Sequence, residues 1–235
     1  LAPPGARPCG RGQFSGPDCG GIVYVPLDSV PLTSTDGGAS WAASVGAPNG
    51  TTGTAAKWGG CECQRFACDR HRRECYIYGT DGVLSVGTDG AAWTSSASRL
   101  PTPSSGFPGY LAVNYAVGGH LCVCLGLAGL WCSTDAGATF AQDTAFHSCR
   151  MLDWGAPAPG EAGDATMFVL GQLDAEDLNE HLFVSLAGAW VRANPDSFAL
   201  GEAIHIPLAA SKKRFGEVFI GSDGLGVYKG QLAVT

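Results

Sequence analysis

Hydrophobic residues along this chain fall in short runs set off by Gly-containing or polar turns, and the unit they build recurs. Gly21–Trp41, Cys75–Trp93, Leu121–Phe140, Met167–Trp190 and Val218–Tyr228 each read as an apolar strand, a tight turn, a second strand and a Gly-rich turn, closed in most copies by an aromatic. The first strands begin near positions 22, 75, 121, 167 and 218, a step of about 46 to 53 residues that matches one four-stranded propeller blade. The pattern predicts an all-β chain, a single β-propeller of about five four-stranded blades with almost no helix. Lys57–Gly60, Tyr110–Val117, Cys149–Trp154 and Ala203–Leu208 are the expected innermost strands of blades two to five, and Gly12–Ser15 is the candidate for blade one. Residues 1–20 are expected to form an N-terminal disulfide-bearing segment and 21–235 the propeller, with a Cys-rich insertion at 61–75.

The second turn of the unit has a recognisable wording. Ser34-Thr35-Asp36-Gly37-Gly38-Ala39-Ser40-Trp41 and Ser133-Thr134-Asp135-Ala136-Gly137-Ala138-Thr139-Phe140 share Ser-x-Asp-x-Gly-x-Ser/Thr-aromatic. Gly87–Trp93, with Asp89, is one residue shorter, and Ser185–Trp190 has lost the Asp. The wording resembles the Asp-box, or bacterial neuraminidase repeat, of β-propellers such as sialidases, sortilins and family-74 glycoside hydrolases. The closing run Phe215–Tyr228 is most similar to the end of a family-74 propeller. An Asp in such a turn accepts backbone N–H groups, Gly supplies the positive φ, a hydroxyl closes the network, and the aromatic returns the chain between sheets. Ser34, Asp36, Gly38, Trp41, Asp89, Trp93, Ser133, Asp135, Gly137 and Phe140 are therefore expected to be structural rather than catalytic.

Composition narrows the class. Gly contributes 35 residues and Pro 14, while charged residues make up 15% of the chain, against roughly a quarter in an ordinary soluble domain. That excludes a coiled coil or helical bundle, and the 45% hydrophobic fraction excludes a disordered chain. A net charge of −7 argues against a nucleic-acid partner, which needs a basic face. The uncharged stretch Tyr110–Trp131 is long enough to cross a bilayer, but Gly118-Gly119 breaks it and its flanks fit the repeat, so no membrane span is expected. The opening LAPPG looks like the start of a mature or excised segment, and the chain is expected to be part of a larger chain or assembly.

Ten cysteines point to an oxidising compartment, hence a secreted or cell-surface protein, with Asn49-Gly50-Thr51 as a glycosylation sequon. Cys61, Cys63, Cys68 and Cys75 lie beside His71, but the spacing lacks the paired Cys-x2–4-Cys units of a zinc site. Disulfides are expected there, with no metal and no cofactor. Side chains alternate along a strand, so Cys122 and Cys124 share a face, with Cys132 on the next strand and Cys149 on the next inner strand. The expected bridges are Cys9–Cys19, two within 61–75, and two among Cys122, Cys124, Cys132 and Cys149.

Two charge clusters stand out. Arg65, Arg70, His71, Arg72 and Arg73 form a solvated loop or a surface for an acidic glycan or protein, and Asp174, Glu176, Asp177 and Glu180 fill an enlarged turn without EF-hand spacing. Three function classes follow. The first is a non-catalytic extracellular propeller for binding or assembly, its partner a glycan or an extracellular protein, with Trp58, Tyr110 and Trp154 as candidate sugar-stacking rings. The second is a polysaccharide glycosidase using two of Asp18, Asp28, Asp153 and Glu202. The resemblance implies for it two facing propellers that each contribute one carboxylate. The third is a structural subunit of a surface filament or sheath. Of these, the non-catalytic module is the expectation carried forward.

Overall fold

A computed structural model describes residues 13–14, 22–25, 30–48, 65–79, 81–89, 92–102, 109–160, 164–177, 179–195, 207–222 and 226–232. These residues hold no helix and form five antiparallel sheets, filled strictly in chain order. The first sheet is β1 (Gln13–Phe14), β2 (Ile22–Val25), β3 (Leu32–Ser34) and β4 (Ala42–Ala43). The second is β5 (Phe66–Asp69), β6 (Glu74–Tyr78), β7 (Val83–Thr88) and β8 (Ala92–Arg99). The third is β9 (Tyr110–Val113), β10 (Leu121–Cys124), β11 (Leu130–Ser133) and β12 (Ala141–Asp143). The fourth is β13 (Ser148–Gly155), β14 (Thr166–Gln172), β15 (His181–Leu186) and β16 (Ala189–Arg192). The fifth is β17 (Leu208–Ala210), β18 (Glu217–Ser222) and β19 (Gly226–Gln231), three strands among the described residues. The first strands β5, β9, β13 and β17 pack successively side by side, so each sheet is a radial blade with its first strand innermost.

Two-sided burial explains why the strands read as unbroken apolar runs rather than alternating ones. In β14, Met167 and Val169 face the third sheet while Phe168 and Leu170 face the fifth. In β10, Cys122 and Cys124 face the fourth sheet while Leu121 and Val123 face the second. Each middle strand thus supplies side chains to two cores. The outermost strands β4, β12, β16 and β19 are mostly exposed.

The positions expected to be aromatic sit at the start of the outer strands. Trp41 and Phe140 directly precede β4 and β12, and Trp93 and Trp190 are second in β8 and β16. Phe140 packs against the second sheet's core around Leu84, and Trp190 packs edge-on to Phe146, with its indole N–H donating to Asp143 of the third sheet. Trp93 lies flat on Gly87, where any Cβ would come within 2.5 Å of the indole. Gly is required there by close approach.

Four expectations are corrected. The inner strand of blade two is Phe66–Asp69, not Lys57–Gly60, which lies outside the described residues. The span Phe66–Glu74 is therefore strand, tight turn and strand rather than an insertion, because the charged run Arg70–Arg73 occupies only the turn. The inner strand of blade three stops at Val113, since Asn114 turns the chain, and that of blade five runs Leu208–Ala210 rather than ending at Leu208.

Six cysteines form three disulfides, Cys68–Cys75, Cys122–Cys132 and Cys124–Cys149. The first two join residues directly opposite in register on neighbouring strands. The third differs in kind, tying β10 of the third sheet to β13 of the fourth. Cys9, Cys19, Cys61 and Cys63 lie outside the described residues. Removal of the inter-blade bridge should therefore cost most. The separations are 25 residues for Cys124–Cys149 and 7 for Cys68–Cys75. Chain entropy alone gives roughly 3.5 against roughly 2.4 kcal/mol at those lengths. Urea unfolding of the two double-alanine variants under non-reducing conditions measures the difference. Equal losses would contradict the inter-blade role.

Candidate functional site

Because the inner strands lie side by side in one direction, the turns that follow them gather at one end of the blade stack. A polar residue ends three of these strands and folds the turn onto itself. Asp69 accepts the N–H groups of His71 (2.8 Å) and Arg72 (3.2 Å). Asn114 accepts those of Ala116 (2.9 Å) and Val117 (3.3 Å), and Ser211 those of Lys213 (3.4 Å) and Arg214 (3.2 Å). Local capping by Asp, Asn and Ser is what these short side chains do best. Asp69 and Asn114 are fully buried and also stitch across blades: Asp69 accepts from Gly119 N at 2.6 Å, and Asn114 donates to Asp164 at 2.8 Å.

Tyr115 occupies the middle of this end. Its hydroxyl donates to the Gly155 carbonyl (3.2 Å), with the Lys212 carbonyl at 3.4 Å, and its own carbonyl meets His71 Nε2 at 2.9 Å. The Arg70 guanidinium lies 5.8 Å and the Lys212 ammonium 5.4 Å from its ring centroid. Four blades thus converge on one phenol, whose pKa burial raises. Neither Tyr115 nor Lys212 was singled out from the sequence. The available signal was a shared spacing, because Asn114 and Ser211 are each followed five residues later by a glycine, Gly119 and Gly216, at φ 79 and 75.

The sequence candidates separate sharply in space. Asp153 points toward the fifth blade: Oδ2 accepts Ala210 N (2.8 Å) and Oδ1 accepts Lys212 Nζ (2.7 Å) and Trp154 N (2.8 Å). Trp154 is 3% exposed and packs edge-on against His120 at 4.6 Å, so it offers no open ring face to a sugar. Burial of the His120 ring lowers its pKa. Tyr110 is half-buried between cores, and burial raises its pKa strongly. Asp18, Asp28, Trp58, Glu202 and Asn49 lie outside the described residues. Among the described residues the innermost strands carry two carboxylates, Asp69 and Asp153, and both are saturated by N–H groups or a cation. No group of three or more metal-ligating side chains occurs among the described residues, and no described helix is long and apolar enough to cross a membrane.

The two Ser-x-Asp turns are built alike. Asp36 accepts the hydroxyl of Ser34 (2.8 Å) and both the N–H (2.9 Å) and hydroxyl (2.6 Å) of Ser40. Asp135 accepts from Ser133 (2.7 Å) and from the N–H (2.8 Å) and hydroxyl (2.6 Å) of Thr139. These bonds, the Ser40 and Thr139 hydroxyls foremost, hold each carboxyl down at a pKa of about 2. The second blade grips the Asp135 turn, with Ser96 donating to the Gly137 carbonyl (2.7 Å) and Leu84 beneath Gly137. Asp89 differs: it has φ 50 and pairs with Arg73 at 2.8 Å. In blade four, Ala187 and Gly188 both have positive φ and close a two-residue hairpin, which leaves no place for the Asp.

Comparisons with known proteins add a family likeness. No family model matches the chain. A xyloglucanase from Paenibacillus sp is 26% identical over 214 residues, covering 88% of this chain and 19% of the relative. A GH74 enzyme from Niastella koreensis superposes with TM-score 0.73 at 22% identity, over 92% of this chain and 30% of that one. The GH74 xyloglucanase of Xanthomonas campestris gives 0.75 at 20%, over 99% and 31%. YCF48 from Cyanidioschyzon merolae, at 0.54 and 13%, shares the fold more distantly. The chain is thus a β-propeller chain that resembles family-74 glycoside hydrolases, and it spans under a third of the length of those relatives.

The turn carboxylates yield a test. Asp135→Asn should lower the melting temperature on the order of 2–4 °C while leaving ligand binding per folded molecule intact. The Asp135 pKa is depressed, so its contribution is complete above the ordinary carboxylate value and is lost as pH falls through about 2. The gap between wild type and variant should therefore be full at neutral pH and close toward pH 2. An unchanged melting temperature with abolished polysaccharide hydrolysis would show the carboxylate to be catalytic.

Proposed function

We propose that this chain is a propeller portion of a secreted glycoside hydrolase acting on a xyloglucan-type polysaccharide, in preference to the non-catalytic module expected from the sequence. The supporting observation is the likeness to a xyloglucanase along 88% of the chain. Three disulfides are consistent with an oxidising, extracellular setting. Hydrolysis needs one carboxylic acid and one carboxylate across the scissile bond. In the arrangement the resemblance implies, this propeller supplies one of them and a facing propeller the other. Asp153 is committed to Ala210 and Lys212, which leaves Asp18, Asp28 and Glu202 as the candidates. A second reading, glycan binding without cleavage, draws support from the saturation of both described inner-strand carboxylates.

Reducing-end release from xyloglucan by the full-length protein separates the two. Asp18→Asn, Asp28→Asn or Glu202→Gln should lower kcat by about 10²–10⁴ with little change in melting temperature. Asp153→Asn should lower stability instead. Xyloglucan binding with no hydrolysis by the wild-type protein would overturn the enzyme reading in favour of the binding one.

A further inference from the structure

Six of the chain's 14 Lys and Arg residues stand in two turns, Arg70, Arg72 and Arg73 in one and Lys212, Lys213 and Arg214 in the other. Some 140 residues apart in sequence, these turns meet on either side of Tyr115. The charges are layered. Two of the carboxylates lie beneath, Asp69 fully buried and the side chain of Glu217 5% exposed, while the Arg72 and Arg214 side chains are 47% and 71% exposed. Glu74 neutralises Arg72, Asp89 neutralises Arg73 and Asp153 neutralises Lys212, each within 2.8 Å, whereas Glu217 is held at 2.7 Å by Lys229 and lies 3.4 Å from Arg214.

Of these six cations, two remain without a carboxylate partner among the described residues. Lys213 has no ion pair. Arg70 Nε lies 3.5 Å from His71 Nε2, but that nitrogen is 2.9 Å from the Tyr115 carbonyl, which can only accept. His71 must therefore carry its proton on Nε2, and it cannot also accept from Arg70. The guanidinium is thus left poised over the half-buried ring of Tyr115. Lys213 is exposed in the same turn as Lys212, whose ammonium lies over the same ring. Exposed cations flanking a half-buried aromatic fit a sugar bearing an anion, the ring near Tyr115 and the acid on Arg70 and Lys213.

We propose that this end of the blade stack binds an anionic sugar residue, a uronate or a sulfated sugar of a polysaccharide, through Arg70, Lys213 and Tyr115. The proposal rests on the polysaccharide reading above, yet it is separable from catalysis because none of these residues is a candidate acid or base. On a protein of net charge −7, such a surface also directs acidic chains to one end of the propeller.

Isothermal titration of the full-length protein with polygalacturonate, dextran sulfate, neutral xyloglucan and poly-glutamate tests it at low and high salt. Arg70→Ala with Lys213→Ala should weaken polygalacturonate or dextran sulfate binding by at least about tenfold, and the Gln pair should do the same. Arg99→Ala, on the outer strand of blade two, should bind as wild type, and whichever polyanion binds more tightly tells carboxylate from sulfate. Failure of both polyanions to bind, or equal binding by the variant pair at an unchanged melting temperature, would overturn the proposal. Poly-glutamate binding as tightly as either polyanion would reassign the surface to an acidic protein. Retained xyloglucan hydrolysis alongside such a failure would leave the enzyme reading standing, whereas polyanion binding without hydrolysis would remove that reading alone.

Discussion

Face-to-face stacking of blades is the interaction on which everything else depends. A middle strand such as β14 is buried on both sides, so each residue from Met167 to Leu170 belongs to one of two cores. Full burial of a side chain of this size contributes about 1.5–3 kcal/mol, and every sheet offers several to each neighbour. Single sheets this short would be marginal alone. The inter-blade bridge Cys124–Cys149 sits inside the same packed layer, with both sulfurs fully buried. The fifth sheet shows the limit of the arrangement: Val218 and Ile220 are covered by the fourth blade, while Phe219 and Val227 stay exposed among the described residues.

Stacking also makes the candidate site. It forces the inner strands into line, which carries their exit turns to one end and sets Tyr115 of blade three against Gly155 and Lys212 of blades four and five. The side chains that shape these turns, Asp69 and Asn114, are buried, and their oxygens accept from backbone N–H groups. The cations are left outside as an outer layer. Capping and ion pairing occupy Asp69, Glu74, Asp153 and Glu217, while Arg70 and Lys213 stay exposed without a carboxylate partner among the described residues.

Much of this fold was legible because repetition survives in sequence. Five sheets at blade spacing, the two Ser-x-Asp turns and the outer-strand aromatics could be read from recurring words. Other features were hidden for physical reasons. Phe66–Asp69 was missed because a four-residue strand next to a run of Arg reads as a loop, and periodicity needs more residues than that to declare itself. Trp154 looked like a sugar platform because burial of an aromatic depends on the neighbouring blade, which no local pattern reports. Tyr115 and Lys212 stand almost a hundred residues apart, and their meeting is a product of the stacking alone.

The central claim, that two-sided burial between blades holds this molecule together, predicts where the backbone is best protected. Amide hydrogen exchange followed residue by residue tests it directly, since protected groups in a packed layer exchange only when the whole structure opens. Leu121–Cys124 and Thr166–Gln172 should exchange slowest and with one common opening free energy, while Ala141–Asp143 and Ala189–Arg192 exchange much faster. Outer-strand amides as slow as those of β10 and β14, or blades that open independently of one another, would contradict it.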